Sequence, residues 1–313
     1  MNLPEPGDLT PHLPVLYQEV LQALQPADQK RYIDATLGAG GHSWGILNAS
    51  DPAGEVLGLD VDPQALAIAS QRLSVFSHRA HLIQASYTTL LEQMQKVGWS
   101  NVDGIVIDLG VSSMQIDTPE RGFSFLADGP LDMRFSPNQP TTAADLVNQL
   151  SEQDLAEIIW KYGEERHSRR IARAIINNRP FHTTAQLADL IAKSTRGQRD
   201  RIHPATRTFQ ALRIAVNQEL QALEEFLPQS LEALRTGGRL AVISFHSLED
   251  RIVKHYFKRE SQDCICPPEQ PVCTCGHQAQ IHLITRHPIT AGEEEIERNP
   301  RARSARLRIA EKL

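Results

Sequence analysis

Two aspartates and a glycine-rich loop are the residues of this chain whose types and spacing most clearly suggest ligand binding or catalysis. The loop, Gly38-Ala-Gly-Gly-His-Ser43, follows an apolar stretch, Tyr32–Leu37. About 20 residues later a second apolar stretch, Glu55–Asp60, ends in a carboxylate at the spacing of an acid that binds ribose hydroxyls. A third such stretch, Val102–Gly110, contains Asp108. Glycines between a strand and a helix allow positive φ and close approach of a ligand, so the pattern predicts a nucleotide site.

The loop departs from the dinucleotide fingerprint, because Ser43 stands where that fingerprint has its last small residue, Gly or Ala. Asp34 lies on the first strand, just before the loop. A carboxylate there suits a ligand with an ammonium group and a carboxylate, as S-adenosylmethionine has, better than a pyrophosphate. A plain glycine turn is the alternative for the loop alone, and Asp60 argues against it. A nicotinamide dehydrogenase is a rival that Ser43 disfavours.

The surrounding pattern is that of a doubly wound α/β sheet. Strands are predicted at Tyr32–Leu37, Glu55–Asp60, His81–Ser86, Val102–Gly110, Gly238–Phe245, His282–Thr285 and Ala305–Ala310. Helices are predicted at Leu13–Leu24, His42–Asn48, Pro63–Leu73 and Glu219–Leu234, and after an N-cap at Ser247. Such folds place their chemistry at the carboxyl ends of strands, which makes Asp108 the strongest catalytic candidate. Tyr87, after the third strand, is either a wall of an adenine pocket or a core residue.

About a hundred residues separate the fourth and fifth strands, and we expect them to form an inserted helical domain. They begin with a loop rich in Gly, Pro and Asp, Arg121–Arg134. Helical patterns follow at Thr142–Leu150, Ser151–Tyr162, Arg166–Asn178 and Thr184–Ser194, the last with Thr184 as its N-cap. The predicted organisation is residues 1–112 and 213–313 in the sheet domain and 113–212 in a substrate-recognition domain.

Composition and charge narrow the class of protein. The chain has 313 residues, 41% of them apolar and 22% charged, as in an ordinary globular protein. No apolar run approaches the ~20 residues of a membrane span. Met1–Pro14 lacks the basic and apolar regions of an export signal, so we expect a cytoplasmic location and no membrane partner.

The net charge of −6 argues against general polyanion binding, but the charge is unevenly distributed. Thr141–Asn217 has twelve Lys and Arg against eight Asp and Glu, and Arg298–Leu313 has six against one. Local basic surfaces fit selective docking to nucleic acid, with solvated charged helices as the alternative. The candidates for phosphate contacts are Arg207, Arg213 and the Arg166–Arg173 face, and their alternative is ion pairing with Glu164, Glu165 and Glu219.

Two further clusters have open interpretations. All four cysteines lie in Cys264-Ile-Cys266 and Cys273-Thr-Cys275. Paired C-x-C units suggest zinc or a redox pair, although zinc ligands are usually spaced C-x₂₋₄-C, and free thiols on a Pro-rich loop are the alternative. His246 and Asp250 are either acid/base groups or helix-capping groups, and capping is favoured. No metal is predicted at the active site.

Several long motifs together resemble the bacterial 16S ribosomal RNA cytidine N4-methyltransferase family, whose members are called RsmH or MraW. The resemblance runs from His12 to the C-terminus. It rests on these blocks: Asp34–Ser43, Asp108–Ser113 with Gln115, Arg121–Arg134, Tyr162–Arg166, His203–Arg213, Ile243–Arg251 and Asn299–Ser304.

The resemblance implies a Rossmann-like class I S-adenosylmethionine-dependent methyltransferase. Its acceptor would be a cytidine at the decoding centre of 16S rRNA in the small ribosomal subunit. Matched position by position, the cofactor contacts fall on Gly40, Gly41, His42, Asp60, Tyr87, Asp108 and Gln115. Tyr87 stands where some members carry Phe, and the cysteine loop occurs in only part of the family.

As a mechanism, Asp108 would accept a hydrogen bond from the N4 amine, and the Arg121–Arg134 loop would line a pocket for a flipped base. The alternatives are an amino-methyltransferase acting on another RNA or DNA base and a non-catalytic RNA-binding module. A homodimer is left open.

Overall fold

The computed structural model describes residues 14–195, 202–267, 269–270 and 272–313. The expectations for residues 1–13, including the helix start at Leu13, and for the part of the basic insertion at 196–201 lie outside the described residues. Contacts divide the chain into two compact units. The first is formed by Met1–Gly110 with Leu220–Leu313, and the second by Val111–Glu219.

The first part of the chain alternates strands and helices. In order, its elements are α1 (Tyr17–Leu24), β1 (Arg31–Asp34), α2 (Gly41–Ala49), β2 (Glu55–Asp60), α3 (Pro63–Leu73), β3 (Ala80–Gln84), α4 (Leu90–Lys96) and β4 (Val102–Asp108). α3 begins where Asp62 accepts a hydrogen bond from the Gln64 amide (3.0 Å) and Pro63 occupies the first helical position. The third strand ends at Gln84, two residues before its predicted end.

The inserted unit is helical. Its helices are α5 (Ser113–Asp117), α6 (Ala143–Gln149), α7 (Glu152–Gly163), α8 (Ser168–Asn177), α9 (Thr184–Ser194) and α10 (Thr206–Asn217). The apolar faces of α6 to α10, with Leu131 and Met133 of the loop before α6, form one core. The N-cap of α9 is Thr183 rather than the predicted Thr184, because Thr183 and Gln186 form a reciprocal capping box.

The chain then returns to the sheet. The remaining elements are α11 (Glu219–Ala233), β5 (Leu234–Ser244), α12 (Ser247–Glu260), β6 (Ile281–Leu283), α13 (Glu293–Arg298) and β7 (Arg306–Lys312). The N-cap of α12 is His246 and not Ser247. The His246 ring accepts from the Glu249 amide (3.4 Å), and the Glu249 carboxylate accepts from the His246 amide (3.2 Å).

The seven strands form one sheet in the order β3-β2-β1-β4-β5-β7-β6. β1 to β5 are parallel, whereas β7 is antiparallel to both β5 and β6. The strand order reverses at β1, so the crevice for a ligand is expected beyond the carboxyl ends of β1 and β4. The predicted doubly wound, Rossmann-like α/β sheet is confirmed.

Two apolar layers cover the sheet. On one face, Ile33, Leu57 and Ile105 pack with residues of α4, α11 and α12. On the other, Tyr32 and Val106 pack with residues of α1, α2 and α3. Strands buried on both faces are continuous apolar runs, as β2 and β4 are in sequence. None of the helices in the described part of the chain is both long and apolar enough to cross a bilayer.

Candidate active site

The glycine loop joins β1 to α2 at the point where the strand order reverses. Gly38 has φ +50° and Gly40 has φ +75°, a left-handed conformation that favours glycine. Gly40 is the N-cap of α2 and makes no side-chain cap. A Cβ on Gly41 would lie 2.3 Å from Pro14 Cγ, so this position needs glycine for space. The first amides of α2 can therefore face an anionic group of a ligand.

Ser43 is explained by a buried contact with the first strand. Its hydroxyl donates to Asp34 Oδ2 at 2.7 Å, and both residues are buried. This bond ties the first turn of α2 to the end of β1. Burial raises the pKa of Asp34, and His42 and Ser43 oppose the rise. A third glycine at position 43 would lose the bond, which accounts for the departure from the dinucleotide fingerprint.

Asp60, the last residue of the neighbouring strand β2, is hydrogen-bonded to the glycine loop. Its two carboxylate oxygens accept hydrogen bonds from the amides of Gly38 (2.8 Å) and Asp62 (2.9 Å). Burial raises the pKa of Asp60 to about 6, although these two hydrogen bonds oppose the rise. A partly buried carboxylate at the end of β2 is suited to accept hydrogen bonds from ribose hydroxyls.

Asp108 lies at the same edge of the sheet. Asp34 is in register with Gly58 of β2 and Val106 of β4, so Asp60 and Asp108 each lie two residues further along their strands. The Asp108 amide donates to Thr36 Oγ1 at 2.6 Å. Three carboxylates at the ends of three adjacent strands thus surround the start of the glycine loop.

His42, in the first turn of α2, lies beside Asp108. Its Nε2 is 3.8 Å from Asp108 Oδ2, and its ring stacks on Tyr17 with centroids 6.4 Å apart. Sequence reasoning selected His42 but not Tyr17, which lies 25 residues earlier on α1 and carries no motif of its own.

Three buried polar atoms of this crevice have no hydrogen-bond partner: His42 Nδ1, His42 Nε2 and Asp108 Oδ1. Leaving buried polar groups unpaired costs roughly 1–3 kcal/mol each, so they are expected to pair with a ligand. The ammonium, carboxylate, ribose and adenine groups of S-adenosylmethionine offer the complementary donors and acceptors. The residues present therefore fit this cofactor.

The side chains of Tyr87 and Gln115, the other two predicted cofactor residues, are held by contacts within the protein. The Tyr87 ring is half-buried and packs edge-on against Phe226, with centroids 5.4 Å apart. Gln115 belongs to the inserted unit, where its side-chain oxygen accepts from the Ser112 amide at 3.1 Å in a capping box. Contact of either residue with a cofactor stays a prediction.

His246 has the capping role favoured from sequence, whereas Asp250 forms ion pairs with two arginines in place of a cap. His246 caps α12. Asp250 is buried and accepts hydrogen bonds from Arg308 Nε (2.7 Å) and Arg306 Nη1 (2.9 Å), which join α12 to β7. Part of the basic charge near the C-terminus is therefore internal.

Some candidate phosphate-contacting arginines of the inserted unit form ion pairs, including Arg173, which lies 3.2 Å from Glu152, and others form none with the residues that the structure describes. Arg213 makes a two-bond contact with Glu219 (2.8 and 2.9 Å), and Arg207 lies 3.4 Å from Glu165. For these two arginines the structure agrees with the ion-pairing alternative. Arg166, Arg169 and Arg170 are exposed on or just before α8, in positions open to a phosphate backbone.

A cavity of about 470 Å³ lies at the opposite, amino-terminal edge of the sheet. Its lining includes Arg31, Glu55 and Asp103, where Lys30 and Asp103 pair at 3.2 Å. This cavity contains none of the predicted site residues, and its charges are already satisfied by one another. It has no part in the chemistry developed below.

Comparison with known proteins finds both solved structures and curated sequences that are similar to this chain. Two solved structures are similar at 13% identity. An rRNA methylase from Streptococcus thermophilus has a TM-score of 0.42, with 95% of this chain and 93% of that chain covered. A Streptococcus mutans protein in complex with SAH has a TM-score of 0.43, with both chains fully covered.

Curated relatives are much more similar in sequence. "Ribosomal RNA small subunit methyltransferase H" of Dehalococcoides mccartyi is 53% identical over 303 residues, 97% of this chain and 87% of that protein. The protein of the same name from Syntrophobacter fumaroxidans is 52% identical over 313 residues, 98% of each chain. The MraW methylase family matches residues 9–313. The resemblance seen in the sequence is confirmed, and the chain belongs to the MraW methylase family.

Proposed function

We propose that this protein transfers a methyl group from S-adenosylmethionine to the exocyclic N4 of a cytidine in the 16S RNA of the small ribosomal subunit. Family membership and relatives named as small-subunit rRNA methyltransferases support the reaction class. The observation that carries the residue assignment is the buried, unpartnered Oδ1 of Asp108 at the end of β4, beside the buried ring of His42.

The cofactor would be held by Gly40, Gly41, His42, Asp60, Tyr87, Asp108 and Gln115. When bound, S-adenosylmethionine supplies an electrophilic methyl group on a sulfonium. The amides of the glycine loop suit its carboxylate, and Asp60 suits its ribose hydroxyls. Tyr87 supplies an aromatic edge for adenine. Fixing one reactant in this way supplies much of the acceleration expected for a two-substrate reaction.

Asp108 would act on the nucleophile. The N4 lone pair of cytosine is delocalised into the ring, which makes the amine a poor nucleophile. An acceptor for an N4 hydrogen returns electron density to the nitrogen and can take up the proton that leaves on methylation. Asp108 has an oxygen free for this role. The Thr36 hydroxyl, bound to the Asp108 amide, fixes the backbone from which the carboxylate projects.

The inserted unit would recognise the RNA. Its Arg121–Arg134 loop is internally braced, since Arg121 Nη2 donates to the carbonyls of Arg134 (3.0 Å) and Phe135 (2.9 Å). A rigid loop of this kind suits a pocket for a base taken out of its stack. The exposed Arg166, Arg169 and Arg170 would contact phosphates, which position an RNA without specifying its sequence.

The same proposal includes three finer points. The acceptor is a cytidine at the decoding centre of the small subunit, presented either as free RNA or within an assembled subunit, and the reaction takes place in the cytoplasm. The oligomeric state is left open, and light scattering of the purified protein would distinguish a monomer from a homodimer. None of the chemistry assigned to Asp108 requires a second copy.

The test uses small subunits from a strain that lacks this protein, with radiolabelled S-adenosylmethionine. Wild-type protein should place label in N4-methylcytidine, identified after digestion of the RNA to nucleosides. Asp108→Asn should reduce the rate by about 10²–10⁴-fold, the usual contribution of a positioned base. Cofactor binding should weaken much less than the rate falls, because Asp108 is only one of the seven proposed cofactor contacts. Asp103→Asn, at the other end of the same strand, is the matched control and should keep its activity.

Three results would decide against parts of the proposal. Label on another base, or in DNA, would show that the methyl acceptor is not a cytidine of the 16S RNA. Binding of RNA without any label would favour a non-catalytic RNA-binding module. Equal rates for Asp108→Asn and wild type would keep the methyltransferase and move the chemistry away from Asp108.

A further inference from the structure

The loop between α12 and β6 brings together all four cysteines of the chain. Cys273 Sγ lies 3.4 Å from Cys264 Sγ, 4.0 Å from Cys266 Sγ and 3.6 Å from Cys275 Sγ. Cys275 Sγ lies 3.9 Å from Cys264 Sγ. The four sulfur atoms therefore form a compact cluster within the loop.

The separations fit a tetrahedral metal centre and not a pair of disulfides. A disulfide joins sulfur atoms at about 2.05 Å, far shorter than any distance in this cluster. Four thiolates at the zinc–sulfur bond length of about 2.3 Å form a tetrahedron whose edges are about 3.8 Å. The four sulfur–sulfur distances given above, 3.4–4.0 Å, lie on both sides of that value.

Backbone amides surround the cluster with donors. The amides of Ile265 and His277 each lie 3.5 Å from Cys275 Sγ, and the amide of Thr274 lies 3.5 Å from Cys266 Sγ. Gly276 has φ +62°, which lets the chain turn so that the next amide faces the sulfur. A dication bound by four thiolates keeps a net charge of −2, and donors to sulfur stabilise that charge.

Apart from the cysteines, the described part of the loop is ordered by scattered hydrogen bonds, among them that of Gln270 Nε2 to Thr274 Oγ1 (2.7 Å). Residues 261–280 contain no helix or strand among those described. Its base is held by the Gln280 amide bonded to the Glu260 carbonyl (2.8 Å) and by His277 Nε2, 3.0 Å from the Arg259 carbonyl. These contacts leave the cysteine end without a hydrophobic core, and structureless loops of this length are uncommon unless something else ties them down.

We propose that Cys264, Cys266, Cys273 and Cys275 bind one Zn²⁺ that orders this loop. Thiolates are soft ligands suited to zinc, and four protein ligands leave no open position for substrate, so the metal is structural. The C-x-C spacing, shorter than that of most zinc motifs, is accommodated because each pair contributes one edge of the tetrahedron across the loop. His277 is engaged at the base of the loop and is not a ligand.

The test is the metal content of the full-length protein, purified without metal-affinity resin or chelator. Mass spectrometry of the metals should find one zinc per chain. Because the chain has only these four cysteines, a mercurial titration reports on this cluster alone and should release the zinc as it consumes four thiols. Replacement by Co²⁺ should give the d–d absorption of a tetrahedral thiolate site.

Cys273→Ser removes the sulfur with the most neighbours and should reduce the zinc content to near zero. Val272→Ala, its exposed neighbour, is the matched control and should keep one zinc. Limited proteolysis should cut the loop faster in Cys273→Ser than in the control. Four freely reactive thiols with no zinc, two disulfides, iron in place of zinc, or unchanged zinc in Cys273→Ser would each overturn the proposal.

Discussion

Cofactor affinity should depend on pH through Asp60. Burial raises the pKa of this carboxyl to about 6, against the hydrogen bonds from the Asp62 and Gly38 amides, and the carboxylates of Asp62 and Asp34 add to the rise. The proposed contact with ribose hydroxyls needs the ionised form, which is an acceptor at both oxygens. Protonation of Asp60 should therefore weaken binding as the pH falls.

The size of the effect follows from the pKa. With a pKa of about 6, the ionised fraction falls from about nine-tenths at pH 7 to about one-tenth at pH 5. If only the ionised form binds, the affinity falls roughly tenfold over this range, or ~1.4 kcal/mol. The carboxylate and ammonium groups of the cofactor keep their charges between these pH values, so the slope belongs to the protein.

The assay is calorimetry with S-adenosylhomocysteine at pH 5, 6 and 7 and constant ionic strength. Asp60→Asn has one acceptor oxygen for two amides, so it should bind more weakly at pH 7. Its affinity should also vary less with pH than that of wild type. Glu224→Gln, an exposed change on α11, is the control and should keep the wild-type slope. A pH-independent wild type, or an equal slope in Asp60→Asn, would refute the assignment of Asp60.

Two further changes test the scaffold. Gly41→Ala places a Cβ 2.3 Å from Pro14 Cγ, and overpacking of this kind costs about 1–3 kcal/mol. It should weaken cofactor binding and lower the melting temperature, whereas Gly292→Ala, with open space around the new Cβ, should do neither. Asp250→Asn leaves Arg308 buried beside a neutral partner and should cost about 3–5 kcal/mol in urea unfolding at pH 7. Burial opposes ionisation of Asp250, but hydrogen bonds from Arg308 and Arg306 lower its pKa, so this difference should shrink as the pH falls below about 4.

The strands that position the site could be predicted from the sequence because buried parallel strands are continuous apolar runs. β2 has the predicted bounds, and β4 begins at Val102 and ends in Asp108, the carboxylate selected from the sequence. α4 was missed, since only Leu90, Gln93 and Met94 of its seven residues are buried, too few to give a helical period.

Contacts between segments that are far apart in the sequence could not be predicted from local sequence patterns. The bond between Thr36 and the Asp108 amide spans 72 residues, and Asp250 finds its arginines 56 and 58 residues later. Helix caps were misplaced by one residue for a similar reason. Thr184 looked like a cap, but its hydroxyl accepts from the Gly129 amide at 3.2 Å, and Thr183 caps α9 instead.

The strand order has a consequence for how the sheet is assembled during synthesis. β7 lies between β5 and β6, yet the ribosome makes it after both. Until residues 306–312 have been synthesised, one edge of β5 is unpaired and β6 has no neighbouring strand. The Asp250 carboxylate also lacks its two arginine partners. Unpaired edges attract other chains. A chain that stops before β7 should therefore aggregate rather than fold to a shortened enzyme. This is expected even though its sequence still contains the glycine loop and all three site carboxylates.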